Sequence, residues 1–255
     1  MRILFLLLLL IPGHVRMGQE VIFARFRGST AVTPPSVSGL LVWYNAGCIT
    51  FPSSVCGTPS DGTTISSWAD ESGNGHTATQ LAGSCVFHTA QLNSQPAVTF
   101  ASGCNYSIAT GPVLVSSTQF AVIKNASSST VTVIAGAGNN GLVYASCGSS
   151  TKAQGGALES VTGVSTGTAT CDTSWHQMNF QNSASVMAFR INRAADTRIG
   201  SIIGAGVTGT NQLGNDGANT GAFTGQMAEY FSYNSVLSGT DITNLETYLF
   251  NKYAI

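Results

Sequence analysis

Asp70 and Glu71 stand side by side directly before Ser72-Gly73-Asn74-Gly75, in a chain in which Asp, Glu, Lys and Arg make up only 8% of residues. A carboxylate pair beside a flexible loop can bind a metal ion or move protons. The stretch can also be geometric, because Gly73, Asn74 and Gly75 tolerate the positive φ that a tight reversal between strands requires. The remaining acidic residues are Glu20, Asp61, Glu159, Asp172, Asp196, Asp216, Glu229, Asp241 and Glu246. A glycosidase needs two carboxyl groups across the scissile bond, and on one strand face these stand two or four residues apart. No such pair occurs, so hydrolysis would require distant residues to converge, with Asp172, Asp196 and Asp216 the ones to inspect. The histidines, His14, His76, His88 and His176, accompany no G-x-S-x-G elbow, and neither H-E-x-x-H nor EF-hand spacing is present. His176, next to Trp175 at a strand start, reads as a partly exposed strand residue.

Calcium is the one cofactor with a local candidate, since oxygen ligands leave little sequence signature. "GNDGAN", residues 214–219, offers Asp216 and Asn219 as ligands, against the alternative of a polar turn. "GAGNNGLVYAS" sets Asn139, Asn140 and Tyr144 near a strand start, and amides beside an aromatic face suit sugar hydroxyls and apolar sugar faces. Asn215 joins them as a ligand contact. The alternative is a hairpin with Asn140-Gly141 at its tip.

These residues need a frame. From Gly39 onward, short runs rich in β-branched and aromatic residues alternate with Gly, Ser, Asn and Thr clusters, which predicts an all-β sandwich or barrel. In "VMAFRIN", Met187, Phe189 and Ile191 form the buried face, leaving Arg190 toward solvent or a partner carboxylate. One helix is predicted at the end, with Ser238 as N-cap, Asp241 three residues on, and Ile242, Leu245, Leu249 and Tyr253 as its apolar stripe. The apolar run from Ile3 to Ile11 suits a signal peptide and is too short to span a bilayer. Residues 1–24 are therefore read as a signal-peptide-like segment, 25–38 as a linker, and 39–255 as the folded domain. Six cysteines agree with export. They permit 15 pairings, of which sequential closure is the simplest: Cys48 with Cys56, Cys85 with Cys104, Cys147 with Cys171. The ten basic residues are scattered and the net charge is -1, which sets nucleic acid aside as a partner.

Several segments together resemble the concanavalin A-like lectin/glucanase superfamily, in particular its LamG-like jelly-roll members. "GLLVWYNAG" is similar to the opening strand of that family and "ISSWADESGNGHTATQ" to its following hairpin. "QPAVTF" and "QFAVIKNAS" resemble the next two core strands, and "GAFTGQMAEYFSYNSVLSGTDITNLETYLFNKYAI" the closing strand and helix. The resemblance covers residues 39–255 and implies an antiparallel two-sheet jelly-roll sandwich with a short C-terminal helix. It further implies a structural turn at Asp70, Gly73, Asn74 and Gly75, a solvent-facing Glu71, and a Glu229 held by a backbone amide or an Arg. The Glu-x-Asp-x-Glu strand of the family's glucanases is missing, so catalysis does not carry over and no catalytic residue is assigned.

The expected function is a secreted, non-catalytic module that binds a glycan or an extracellular partner, with no stable membrane insertion of the mature domain. The alternatives are a divergent glycoside hydrolase or lyase of the same fold, and an adhesive or structural surface protein of a cell envelope or virion.

Overall fold

Turn clusters and apolar runs fold, in this computed structural model, into twelve strands and one α-helix among the described residues, which are 33–50, 56–108, 116–127, 131–137, 140–146, 172–182, 187–196, 211–215 and 222–255. The strands are β1 (Leu40–Asn45), β2 (Ser67–Trp68), β3 (Ala78–Leu92), β4 (Gln95–Ile108), β5 (Ser117–Asn125), β6 (Val131–Ala137), β7 (Asn140–Ser146), β8 (Trp175–Asn182), β9 (Met187–Ile191), β10 (Ala194–Asp196), β11 (Asn211–Leu213) and β12 (Gly225–Tyr233). The helix α1 (Gly239–Tyr253) follows them, and a 3-10 turn at Pro34–Ser36 precedes them.

Hydrogen bonds join the strands in the order β10-β9-β8-β5-β12-β4-β11-β6-β7, with β1 beside β12 and β3 between β2 and β4. The fold is thus mostly β with one C-terminal helix, and the described strands form one curled antiparallel sheet. In place of two separately bonded layers, β12 serves both flanks. Its first residues pair with β4 and its later ones with β1, while β5 runs along its other side. A strand bonded on both edges and covered on both faces should be apolar throughout, and eight of the nine residues of β12 are buried.

A bulge in β12 decides what faces what. Met227 and Tyr230 both join the aromatic core, an odd spacing that simple alternation forbids. The register against β5 shifts between Met227 and Glu229, inserting Ala228 as an extra residue. From there the phase is reversed, so Glu229 turns to the outer face with Phe231 and Tyr233. The inner face packs Tyr44, Trp68, Phe87, Phe100, Tyr106, Phe180 and Phe223 into one core, with Trp68 and Tyr106 meeting edge to face.

The outer face is covered by α1. Asp241 N–H donates to Ser238 Oγ at 3.2 Å, capping the helix. Ile242, Leu245, Leu249 and Tyr253 are buried; removing each of the three aliphatic side chains from water stabilises the docked helix by ~1.5–3 kcal/mol. The compact unit runs from Thr33 to Ile255, and Tyr233 donates to the Pro34 carbonyl at 2.9 Å, so residues 33–38 of the stretch read as a linker belong to it. The segment 1–24 lies outside the described residues. Disulfides join Cys48 to Cys56 and Cys85 to Cys104; Cys147 and Cys171 lie outside the described residues. Among the described residues, no helix is long and apolar enough to cross a membrane.

Candidate ligand-binding site

Asp70 and Glu71, adjacent in the chain, have opposite fates. Asp70 is buried and accepts from Trp43 N–H at 2.9 Å, Ser72 N–H at 2.9 Å, Ser72 Oγ–H at 2.8 Å and His76 N–H at 2.9 Å. Gly73 and Gly75 take φ of 86° and 77° in this turn, and Asn74 donates to the Leu40 and Leu41 carbonyls at 2.9 Å each. The carboxylate of Asp70 is committed to holding the loop against β1. Glu71, expected to face solvent, is half-buried beside Glu229. Burial pushes its carboxyl up to about 7, the Glu229 charge adds to the effect, and Lys252 opposes it.

Glu229 is fully buried, and its partners are side chains in place of the expected backbone amide or Arg. Oε1 accepts from Trp43 Nε1 at 2.6 Å and Tyr248 OH at 2.8 Å, while Oε2 accepts from Lys252 Nζ and Tyr253 OH at 2.8 Å each. The two carboxylates therefore do not form a catalytic pair: Glu229 has no oxygen left for a substrate and is closed from solvent. Cys56 Sγ lies 3.8 Å from Glu71 Oε2. Cys48, Cys56 and Glu71 form a close group, but both sulfurs are spent in a disulfide, so no thiolate is available to a metal.

Of the residues read from sequence as a glycan site, Asn140 and Tyr144 lie on β7. Asn140 opposes Ala137, as does Asn211 from the other side; Tyr144 opposes Val133. Asn215 follows β11 and is buried. Asn139, Asp216 and Asn219 lie outside the described residues. Of the carboxylates named for hydrolysis, Asp196 is level with Phe189 and thus Phe180, whereas Asp172 precedes Trp175. At ~3.3 Å per residue along β8, the two are separated by more than ~15 Å.

Asp172 serves another purpose. The Asn192 amide oxygen accepts from Gln177 N–H at 3.0 Å, which orients its nitrogen toward His176 Nδ1 at 3.1 Å. His176 Nδ1 is therefore an acceptor, and Nε2–H donates to Asp172 Oδ1 at 2.8 Å. Both ring nitrogens are occupied in bracing the turn between β9 and β10.

That turn forms one wall of a cleft of about 440 Å³ against α1, lined by Arg190, Asn192, Arg193, Thr243, Glu246, Phe250 and Ile255. Its floor is a bidentate ion pair: Arg190 Nε donates to Glu246 Oε1 at 2.6 Å and Nη2 to Oε2 at 3.0 Å. This is the partner carboxylate that strand alternation anticipated for Arg190. Arg190 Nη2 also donates to the Arg193 carbonyl at 2.7 Å, tying floor to wall. Phe250 is 43% exposed, and the Arg193 guanidinium lies 5.1 Å from its ring centroid. The cleft was not visible in the sequence, because Asn192-Arg193 lacks the Asn-Gly pattern of a hairpin and continues the strand alternation.

No protein-family model and no curated protein matches the chain. Solved structures share its fold. Domain 4 of AbnA, a GH43 extracellular arabinanase from Geobacillus stearothermophilus, in complex with arabinotriose, matches with a TM-score of 0.57 and 14% identity over 82% of this chain and 98% of that one. The Trypanosoma rangeli sialidase matches with a TM-score of 0.51 and 11% identity over 92% of this chain. A GH54 α-L-arabinofuranosidase soaked with a cyclic sulfate inhibitor gives 0.50 and 14% over 82%. The chain spans 39% of the sialidase and 58% of the arabinofuranosidase, but almost the whole of the arabinanase domain. At these identities the likeness is one of fold, shared with carbohydrate-active proteins.

Proposed function

We propose that the protein is a secreted carbohydrate-binding module of the LamG-like, jelly-roll kind within the concanavalin A-like superfamily, and that it binds without hydrolysing. The observation that carries the reading is the cleft, where the partly exposed Phe250 ring and the N–H donors of Arg193 stand together, an apolar surface and hydrogen-bond donors of the kind a sugar's apolar face and hydroxyls require. Support comes from the match to nearly all of a domain that was solved with arabinotriose. Two disulfides and the apolar leader support export. Binding is favoured over hydrolysis because Glu229 is saturated and Asp172 is committed to His176. Asn139, Asn140, Tyr144 and Asn215 are a second proposed contact, and Asp216 with Asn219 a proposed calcium site.

The test is binding of the purified chain, disulfides intact, to arabinotriose and to a broad oligosaccharide array, with calcium and then with chelator. Phe250→Ala should weaken binding at least about fivefold in a protein that still folds, as read from its circular dichroism. Loss of binding in chelator would support the calcium site. A folded protein that binds no oligosaccharide would end the reading.

A further inference from the structure

We propose that the cleft between the β9–β10 turn and α1 takes a saccharide bearing a negative group, a carboxylate or a sulfate ester, and that Arg193 reads that group. The saccharide part rests on the function proposed above; the negative charge is read from the cleft. Two arginines line it against one glutamate. Glu246 gives both its oxygens to Arg190, so it does not pair with Arg193. Among the described residues Arg193 forms no ion pair within 4.0 Å, and its guanidinium carbon lies over the Phe250 ring, 5.1 Å from the centroid. An arginine stacked in this way keeps its fork of N–H donors in the plane of the guanidinium, where a bidentate anion fits.

The backbone makes the same point independently. Asn192 and Arg193 have φ of 48° and 68°, the left-handed pair of a two-residue hairpin turn, where the second position favours glycine. The hairpin between β3 and β4 has the same conformation at Asn93 and Ser94, with φ of 47° and 66°, and places a small residue there. Arg193 therefore occupies a backbone conformation that strains a long side chain. The strain is held by three contacts: the Asp172–His176–Asn192 chain, the Arg190 bond to the Arg193 carbonyl, and the stack on Phe250. The guanidinium is thus presented over the Phe250 ring on an exposed turn. A saccharide whose anionic substituent meets Arg193 and whose apolar part rests on the exposed portion of Phe250 satisfies both.

The experiment measures the full chain against matched oligosaccharide pairs: trigalacturonate and its methyl ester, and a sulfated galactan trisaccharide and its desulfated form. The acidic member of at least one pair should bind about tenfold or more tightly than its neutral counterpart, and the pair that shows it separates carboxylate from sulfate. Arg193→Gly should erase the preference while the melting temperature holds or rises, because glycine relieves the turn. Arg193→Lys should keep part of the preference. Binding of neutral and acidic members alike, or an Arg193→Gly protein with its preference intact, would overturn the inference and leave the saccharide-binding reading standing. No binding of any member would overturn the inference, and the saccharide-binding reading with it if the folded protein also binds nothing on the broad array; capture of an acidic peptide in their place would overturn it in favour of a protein partner.

Discussion

Burial and the Glu229 charge hold the Glu71 carboxyl at about 7 against an ordinary value of 4.5, with Lys252 pulling the other way. The folded state thus binds this proton more tightly than the unfolded chain does. The resulting stabilisation is complete below about 4.5 and is lost as pH rises through about 7. Between pH 5 and pH 8 the melting temperature should fall, and Glu71→Gln should flatten that decline by raising stability at pH 8 alone. Parallel declines in the two proteins, followed by thermal scans at both pH values, would remove Glu71 as the cause. The neighbouring Asp70 shows why legibility differs between adjacent acids. Its donors Ser72 and His76 are a few residues away, so turn chemistry and residue type pointed to it. Glu71 answers to Glu229 and Lys252 in the last strand and helix, which only the folded chain brings near.

At the scale of elements, the β12 bulge and α1 act as one device. Without the extra residue Ala228, Glu229 would point into the aromatic core; with it, the carboxylate meets Trp43 from β1 and Tyr248, Lys252 and Tyr253 from the helix. Burial, followed by the Glu229 charge, pushes both tyrosine hydroxyls up, so they stay protonated and donate. Glu229→Leu removes four accepted hydrogen bonds and leaves Lys252 without its carboxylate. The expected loss is ~3 kcal/mol or more, read from urea unfolding midpoints. A loss under ~1 kcal/mol would mean that the apolar stripe alone docks the helix. The helix, its cap and its stripe were legible because helical period and capping chemistry are local. The bulge was not, since an alanine in a strand announces nothing, and neither was the strained turn at Asn192 and Arg193.

At the scale of the molecule, strand content and the C-terminal helix followed from residue pattern, whereas the joining of all described strands through β12 depended on pairings between the two ends of the chain. The two disulfides are local staples, with sequence separations of 8 and 19. Closing a loop of about 20 residues restricts the unfolded chain by ~3 kcal/mol. Replacing both Cys85 and Cys104 by alanine should cost about that much in unfolding free energy, and the Cys48–Cys56 pair less. Equal midpoints in the two double variants would show that loop length does not set the effect.

The pairing of β1 with β12 has a consequence in time. Trp43 and Glu229 are 186 residues apart, and β1 has its only described strand partner in β12. At ~5–20 residues per second of synthesis, the first strand waits roughly 10 to 40 seconds for its neighbour to be made. Until then the growing chain cannot close its sheet, and long-range pairing of this kind is slow even afterwards. The order of the strands along the chain thus sets how late in synthesis the sheet can close.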